Sequence, residues 1–268
     1  MRRYVGAWVA AGCALASCSA SSPQTAATPL TSTAVSPTSA TTTTAIAAAR
    51  PIAARPSPGC ARRTLGASPP TETFAAEGVD GSYIATTPPG AVARKPLPVI
   101  FDLHGYEEPG SVQVSMSALG PYGRTHGFVT ITPWIDNRAV PHWLATVAST
   151  DMAWFGALLT HVEATRCVDE RRVFVTGISN GAAMTSAIAC RFSSRVAAVA
   201  PVAGIQTNAP CDATRPVPVV AFHGAADPVL HYDGTPSKGA AALEGLSGSG
   251  TLTAREAQRL GLAGALTR

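Results

Sequence analysis

Beyond residue 60, short runs of hydrophobic residues bounded by glycine and proline alternate with stretches in which apolar residues recur every three or four positions. Continuous apolar runs of this length are typical of strands buried in a parallel sheet, and they occupy residues 97–105, 127–133, 173–176, 196–202 and 217–222. Strands that alternate with helices predict a mostly parallel sheet with right-handed crossovers and helices on both faces. Two weaker strand candidates predict an antiparallel pair at one edge, at residues 72–76 and 82–86.

Helical spacing between the strands predicts three helices. One covers residues 111–125, and another covers residues 180–192. The third begins near Asp151, which is the predicted N-terminal cap. Its apolar face is formed by residues that repeat every four positions: Trp154, Leu158 and Val162 on one row, and Phe155 and Leu159 on the next.

The segment 173–184 reads Val-Phe-Val-Thr-Gly-Ile-Ser-Asn-Gly-Ala-Ala-Met, so a strand-like run precedes a Gly-x-Ser-x-Gly pentapeptide and a run of small residues. This order of strand, tight turn and helix is that of a nucleophile elbow, which holds a serine at the tip of a strand. Gly177 and Gly181 supply the small residues that such a turn needs. Ser179 is therefore the predicted nucleophile, and the alternative is a glycine-rich turn with an N-cap serine.

A nucleophilic serine needs a histidine base, an acid that orients the base, and N–H donors for the oxyanion. Asp227 is the predicted acid because it follows the strand at 217–222, and the alternative is an aspartate that caps a turn. The predicted oxyanion donors are two backbone N–H groups. One belongs to Asn180, which follows the serine, and the other belongs to Tyr106 or a close neighbour in the loop after the strand at 97–105.

Three further side chains follow strand ends and are candidates for lining the substrate site: His104, Trp134 and Trp143. The alternative for the tryptophans is a packed position at the rim, and His104 is expected to be a structural group rather than the base. Glu107 and Glu108 are expected to be solvated. The cysteines lack the spacing of zinc ligands and no phosphate-binding glycine loop occurs, so neither a metal nor a cofactor is predicted.

The net charge of +4 comes entirely from the N-terminal part of the 268-residue chain. All sixteen acidic residues and sixteen of the twenty basic residues lie after residue 59, so that part is neutral. The excess consists of Arg2, Arg3, Arg50 and Arg55. A basic surface of the kind that binds nucleic acid is therefore not predicted.

Residues 1–18 have the pattern of an export signal, with Arg2 and Arg3 ahead of an apolar stretch that is too short for a lasting membrane span. The stretch ends in Leu-Ala-Ser-Cys, which is similar to a bacterial lipobox. Cys18 is therefore the predicted lipidation site, and the protein is expected outside the cell, anchored to the membrane by lipid. The alternative is an ordinary cleaved signal and a freely secreted protein.

Residues 19–59 are rich in serine, threonine, alanine and proline and contain no acidic or aromatic residue. Such a segment cannot bury enough apolar surface to offset its ordering entropy, so it is predicted to be a disordered tether. The folded domain is expected to cover residues 60–268.

Four cysteines follow the signal: Cys60, Cys167, Cys190 and Cys211. An even number in an exported protein favours disulfides, and four cysteines allow three pairings. The preferred pairing joins Cys190 to Cys211, because both flank the strand that follows the elbow helix. Cys60 then pairs with Cys167 and ties the start of the domain to the segment before the elbow.

Several of these motifs together resemble the secreted poly(3-hydroxybutyrate) depolymerase and feruloyl esterase family, including lipoproteins of actinobacteria. The resemblance is carried by His104-Gly105, the pentapeptide 177–181, Cys190 and the segment His-Gly-x-x-Asp-Pro at 223–228, and it extends from about Cys60 to the end of the chain. It implies an α/β-hydrolase fold with a serine, an aspartate and a histidine as catalytic residues.

In that family the histidine lies in a Gly-Gly-His-type loop after a last strand, and no such segment follows His231. The alternation of predicted strands and helices ends after Gly234, and beyond it only residues 252–262 are compatible with a short helix. The sheet is therefore expected to lack its last strand and its catalytic-histidine loop. Three explanations stay open: a chain truncated at its C-terminus, His231 acting as a substitute base, or a non-catalytic binding lipoprotein that keeps the fold.

The sequence thus predicts an exported serine hydrolase that cleaves a small or polymeric carboxylic ester through an acyl-serine intermediate. Substrates implied by the resemblance are a polyester such as polyhydroxybutyrate, a hydroxycinnamoyl ester or a wall-associated ester. The alternative is a catalytically impaired binding lipoprotein that has the same fold and no triad histidine.

Overall fold

The computed structural model describes residues 52–62, 71–91, 94–206 and 211–247. Three predicted features lie outside the described residues: the export signal 1–18 with Cys18, the tether up to residue 51, and the helix at 252–262.

The described residues contain one six-stranded sheet. Its strands in chain order are β1 (Glu72–Ala76), β2 (Val79–Thr86), β3 (Leu97–Leu103), β4 (Val129–Ile135), β5 (Val168–Ile178) and β6 (Ala198–Val202). Their spatial order is β1-β2-β4-β3-β5-β6. The β1–β2 and β2–β4 pairs are antiparallel, whereas β4, β3, β5 and β6 run parallel. The predicted antiparallel edge and parallel centre are both confirmed.

Five α-helices accompany the sheet in this part of the chain: α1 (Gly110–Ser117), α2 (Leu119–His126), α3 (Thr150–Thr165), α4 (Asn180–Arg191) and α5 (Lys238–Ser247). A short 3-10 helix, Pro58–Ala61, precedes β1. None of the helices among the described residues is long and apolar enough to cross a membrane.

Helices cover both faces of the sheet, as the position of β3 shows. Successive side chains of a strand point to opposite faces. The Phe101 ring packs against Phe155 of α3 at 5.1 Å between centroids. The next residue, Asp102, accepts hydrogen bonds on the other face from Gln113 and Ser117 of α1, each at 2.6 Å. The apolar face predicted for α3 is fully buried against the sheet.

The predicted helix at 111–125 is two helices rather than one. The break lies at Ala118, whose φ of 53° is left-handed and ends α1. Ser117 sets this break, because its hydroxyl donates to Asp102 in β3 and accepts from the N–H of Leu119. The helix therefore ends where a side chain binds the sheet.

The predicted cap at Asp151 is wrong, since the cap of α3 is Ser149, whose hydroxyl accepts from the N–H of Met152 at 3.1 Å. Asp151 lies inside the first turn with no exposed surface and forms an ion pair with Arg138. A buried carboxylate must be paired, and this requirement outweighs its capping propensity.

The run at 217–222 makes only isolated parallel bridges to β6, between Val199 and Val219 and between Val202 and Phe222. It therefore extends the sheet beyond β6 in the predicted direction without forming a regular strand. Helix α5 was not predicted from the sequence pattern.

Two disulfides join distant parts of the chain, Cys60 to Cys167 and Cys190 to Cys211, which is the preferred pairing. Residues before Cys60 also pack on the sheet. The N–H of Arg55 donates to Asp169 at 2.8 Å, and Ser57 is buried. The folded body therefore begins by about residue 55, slightly earlier than predicted.

Candidate active site

Ser179 lies in the tight turn between β5 and α4, as the pentapeptide predicts. Its backbone has φ 54° and ψ −116°, a strained combination for a residue with a side chain. Its N–H donates to the carbonyl of Val202 in β6 at 2.9 Å, which fixes the turn to the sheet. The side chain is half-buried, and its hydroxyl makes no hydrogen bond to any described residue.

The glycines beside Ser179 are required by close backbone contacts. A Cβ on Gly177 would lie 2.6 Å from the carbonyl oxygen of Gly181. A Cβ on Gly181 would lie 2.4 Å from the carbonyl oxygen of Leu103 and 2.5 Å from that of His104. Any larger residue would therefore push the start of α4 away from the end of β3.

In the loop after β3, the N–H of Tyr106 has no acceptor among the described residues. The N–H of Gly105 donates to Glu108 Oε2 at 2.9 Å, and the N–H of Glu107 donates to the carbonyl of Pro141 at 2.8 Å. Tyr106, between them, has no such partner, and neither does the N–H of Asn180 at the start of α4. The two predicted oxyanion donors are therefore both free, and the N-terminus of α4 favours negative charge beside them.

The carboxamide of Asn180 holds a neighbouring loop. Its Oδ1 accepts from the N–H of Trp143 at 2.6 Å, and its Nδ2 donates to the carbonyl of the same residue at 3.0 Å. Both residues are fully buried. The indole N–H of Trp143 donates in turn to the carbonyl of His104 at 3.1 Å. This role of the Asn180 side chain was not predicted.

An ion pair fixes the other side of the same loop. Arg138 binds Asp151 and donates to the carbonyl of His142 at 2.6 Å, and Asp151 accepts from the N–H of Leu144 at 2.8 Å. Residues 138–144 are therefore held between the start of α3 and the start of α4. No local pattern in the sequence marks this pair, because its members are thirteen positions apart and belong to different parts of the fold.

Asp227 follows the run at 217–222 and lies in a closed loop. Its Oδ1 accepts from the N–H groups of Val229 and Leu230, at 2.8 and 2.9 Å, which is the turn-capping role considered as the alternative. Its Oδ2 lies 3.4 Å from Nε2 of His223, and that nitrogen is also 2.6 Å from the carbonyl of Leu230. Oδ2 therefore keeps capacity to accept a stronger hydrogen bond.

The loops that carry Ser179 and Asp227 leave the same edge of the sheet. Ser179 follows β5, and its N–H binds Val202 at the end of β6. Val202 is bridged in parallel to Phe222, and Asp227 is in the loop that follows. Carboxyl ends of parallel strands share one edge, so the nucleophile and acid candidates are on one side of the molecule.

No histidine is hydrogen-bonded to Ser179, although all six histidines of the sequence belong to the described residues. His231, the substitute base considered above, has its Nδ1 2.7 Å from the hydroxyl of Thr235 and forms no hydrogen bond with Asp227 or Ser179. His104 is buried, and burial lowers its pKa to about 4, so its ring is neutral at pH 7. Its Nδ1 lies 2.7 Å from the carbonyl of Gly105, which fits the structural role expected for it.

The three candidate lining residues differ in position. Trp143 and His104 are buried in the core, with their rings 4.8 Å apart, so neither presents a surface to an open cleft. The lining role expected for them is wrong in this respect. Trp134 is half-buried, with its indole N–H on Asp136 at 2.9 Å. The Tyr106 ring is exposed and lies 6.0 Å from the His142 ring.

Glu108 was expected to be solvated, but its carboxylate is not. Its Oε2 accepts from Gly105, and its Oε1 is buried without a partner. Within the described ranges, no group of three or more histidine, cysteine or acidic side chains is placed to hold a metal ion.

Comparisons with known proteins agree with this architecture. Feruloyl esterase C of Emericella nidulans is 30% identical over 184 residues, which cover 66% of this chain and 64% of that protein. A thermostable esterase superposes with a TM-score of 0.51, at 17% identity over 62% of this chain and 49% of its own. S-formylglutathione hydrolase from Staphylococcus aureus gives 0.52, at 12% identity over 74% of this chain and 88% of its own.

The chain has the α/β-hydrolase fold. The strand order, the crossovers and the serine at the end of β5 all belong to that fold. The chain is also similar to feruloyl esterases at about 30% identity, and it spans 64% of the length of the relative named above. No family model matches it.

Proposed function

We propose that this protein hydrolyses carboxylic esters through an acyl-enzyme on Ser179. The observation that carries the proposal is a hydroxyl without a hydrogen-bond partner, in a strained turn, followed directly by the Asn180 N–H, which also lacks an acceptor among the described residues. A second N–H without such an acceptor, that of Tyr106, belongs to the loop in which a Cβ on Gly105 would lie 3.7 Å from the carbonyl oxygen of Ile178. Similarity to feruloyl esterases supports the same chemistry.

The reaction has two halves. The Ser179 oxygen attacks the ester carbonyl carbon and gives its proton to a base, while the N–H groups of Tyr106 and Asn180 hold the oxyanion. The bond from carbon to the alcohol oxygen then breaks, and the alcohol leaves with the proton. Water attacks the acyl-serine in the same way and releases the carboxylic acid. Asp227 orients the base through Oδ2, which makes only a long 3.4 Å contact with His223 Nε2.

The base is the part that the described residues do not provide. None of the six histidines is within hydrogen-bond distance of Ser179. The structure thus predicts slow acylation that is accelerated by added imidazole, whose ring can accept the serine proton. The test is intact mass spectrometry of the protein incubated with p-nitrophenyl acetate, with and without imidazole.

A single acetyl adduct that forms faster with imidazole, and that is absent from Ser179→Ala under the same conditions, would support the proposal. The variant is essential because imidazole itself cleaves activated esters. Equal labelling of both proteins, or none of a folded wild type, would contradict it.

The lack of a base beside Ser179 also favours a second function, a binding lipoprotein that keeps the fold without turnover. In that case aromatic esters would bind, as measured by quenching of tryptophan fluorescence, while no acyl-enzyme forms at any imidazole concentration. Hydroxycinnamoyl esters and short polyester oligomers are the ligands to compare, since the feruloyl esterase relative favours the first class.

We further propose that the protein is exported and anchored outside the cell through a lipid on Cys18, with the segment from residue 19 to about residue 54 as tether. The apolar stretch and the cysteine that follows it support this. Metabolic labelling with a fatty acid in a bacterial host would test it, and label that persists in Cys18→Ser would contradict it.

A further inference from the structure

A chain of buried contacts links the turn that carries Ser179 to the loop that carries Tyr106. The Asn180 carboxamide is hydrogen-bonded to both the N–H and the carbonyl of Trp143. The indole N–H of Trp143 binds the carbonyl of His104, and Gly181 packs directly beneath that carbonyl. The path runs from the residue after the nucleophile, through Trp143, to the residue two positions before Tyr106.

Each contact in this chain is shielded from water. Asn180 and Trp143 have no exposed surface, and His104 is 1% exposed. A buried polar group that loses its partner is left with the full cost of its desolvation, so these bonds are not readily exchanged for water. These specific hydrogen bonds therefore help to set the relative position of the two loops.

The two free N–H groups lie at opposite ends of this path. An oxyanion hole works only when both donors are about 3 Å from the developing charge, and a misplacement of about 1 Å can cost roughly 100-fold in rate. A connection that sets the distance between the donors therefore has a direct effect on the rate of acyl transfer.

We infer that the Asn180 carboxamide and the Trp143 indole are positioning residues that set the spacing of the two oxyanion donors. Asn180 thus acts twice, with its backbone N–H as a donor and its side chain as the holder of the loop that places the other donor. This inference rests on the proposed acyl-transfer function, and the experiment below separates the two.

The chain offers a matched control in Trp154. Like Trp143, it has no exposed surface, and its indole N–H donates to a backbone carbonyl at 3.1 Å, in this case that of Phe74 in β1. Trp143→Phe and Trp154→Phe therefore each remove an indole N–H, its hydrogen bond to a backbone carbonyl and a similar volume. Only the first of these bonds leads to the oxyanion loop.

Two quantities are measured in both variants. The first is the acylation of Ser179 by p-nitrophenyl acetate with imidazole, followed over a range of ester concentrations to separate binding from the acylation step. The second is hydrogen–deuterium exchange of a peptide that covers residues 104–108. We expect Trp143→Phe to slow acylation about 10- to 100-fold with unchanged ester binding, and to speed exchange in 104–108. Trp154→Phe should change both by less than twofold.

Each outcome has a distinct meaning. Equal loss of acylation in the two variants, or unchanged exchange in Trp143→Phe, would overturn the inference while an acylated wild type keeps the proposed function. A wild type that is never acylated would overturn the proposed function, and faster exchange confined to Trp143→Phe would still support the positioning role.

Discussion

Gly181→Ala tests the tight contact between the nucleophile turn and the end of β3. The added methyl group would lie 2.4 Å from the carbonyl oxygen of Leu103 and 2.5 Å from that of His104. Real Cβ atoms do not approach closer than 3.0 Å. Both opposing atoms belong to the backbone, one in the last residue of β3 and one in the residue that follows it, so they cannot move aside as a flexible side chain would.

The expected cost follows from this geometry. Overpacking a filled interior by one methyl group costs typically about 1–3 kcal/mol of unfolding free energy. For a domain of this size, about 1 kcal/mol lowers Tm by roughly 2–4 °C, so the variant should melt about 2–12 °C below the wild type. The carbonyl of His104 precedes the oxyanion loop, so acylation of Ser179 should fall as well.

The assay is thermal unfolding followed by circular dichroism. Gly245→Ala is the matched control, since nothing lies within 4 Å of a Cβ at this position in α5. There the same substitution should leave Tm unchanged or raise it, because alanine in place of glycine stabilises a helix by up to about 1 kcal/mol. A Gly181→Ala protein with the Tm of the wild type, or equal shifts of Tm in both variants, would show that this contact is not tight.

Three further changes probe the frame around the site. Burial raises the pKa of Asp102 to about 6. The stability that this group contributes is therefore full below about pH 4 and is lost as the pH rises through 6. Asp102→Asn does not lose it, so its free energy of unfolding relative to wild type should increase between pH 4 and 7, by an amount on the order of 3 kcal/mol. The difference in Tm between the two proteins should increase accordingly. Removing the Cys60–Cys167 disulfide with a double alanine variant should cost up to about 4–5 kcal/mol in urea unfolding, since it closes a loop of 107 residues. Arg138→Met should cost about 3–5 kcal/mol because it leaves the Asp151 carboxylate buried and unpaired.

Each of these changes has a reference within the same chain. The low pKa of His104 makes the free energy of unfolding rise between about pH 4 and 6.5. Asp102→Asn and the wild type share this contribution, so it cancels in the difference between them. The Cys190–Cys211 disulfide closes a loop of only 21 residues and should be worth less, about 3 kcal/mol. Arg55→Met breaks a pair in which the arginine is 57% exposed and should cost at most about 1 kcal/mol. A reversed order within either pair of variants, or a Tm difference that does not change with pH, would contradict the account.

The elements that the sequence predicted well are those set by neighbouring residues. The nucleophile turn follows from Gly177, Ser179 and Gly181, whose small size and order are visible in five consecutive positions. The strands were predictable because apolar runs bounded by glycine and proline report burial directly. The disulfide pairing followed once the order of the strands was assumed.

The features that the sequence did not reveal depend on partners that are distant in the chain. The break at Ala118 follows from a bond between Ser117 and Asp102, fifteen positions apart. The residues joined by the hydrogen bonds between Asn180 and Trp143 are thirty-seven positions apart. Buried polar groups of this kind choose their partners in three dimensions, and no periodicity marks them.

We propose that Ser179 is the nucleophile and that the N–H groups of Tyr106 and Asn180 receive the oxyanion. Treatment of the folded protein with a fluorophosphonate, followed by mapping of the adduct by peptide mass spectrometry, tests this proposal. We expect one phosphonyl group, located on Ser179, with a labelling rate that rises with added imidazole and falls in Trp143→Phe. An unlabelled protein that is folded, or an adduct on any other residue, would contradict it.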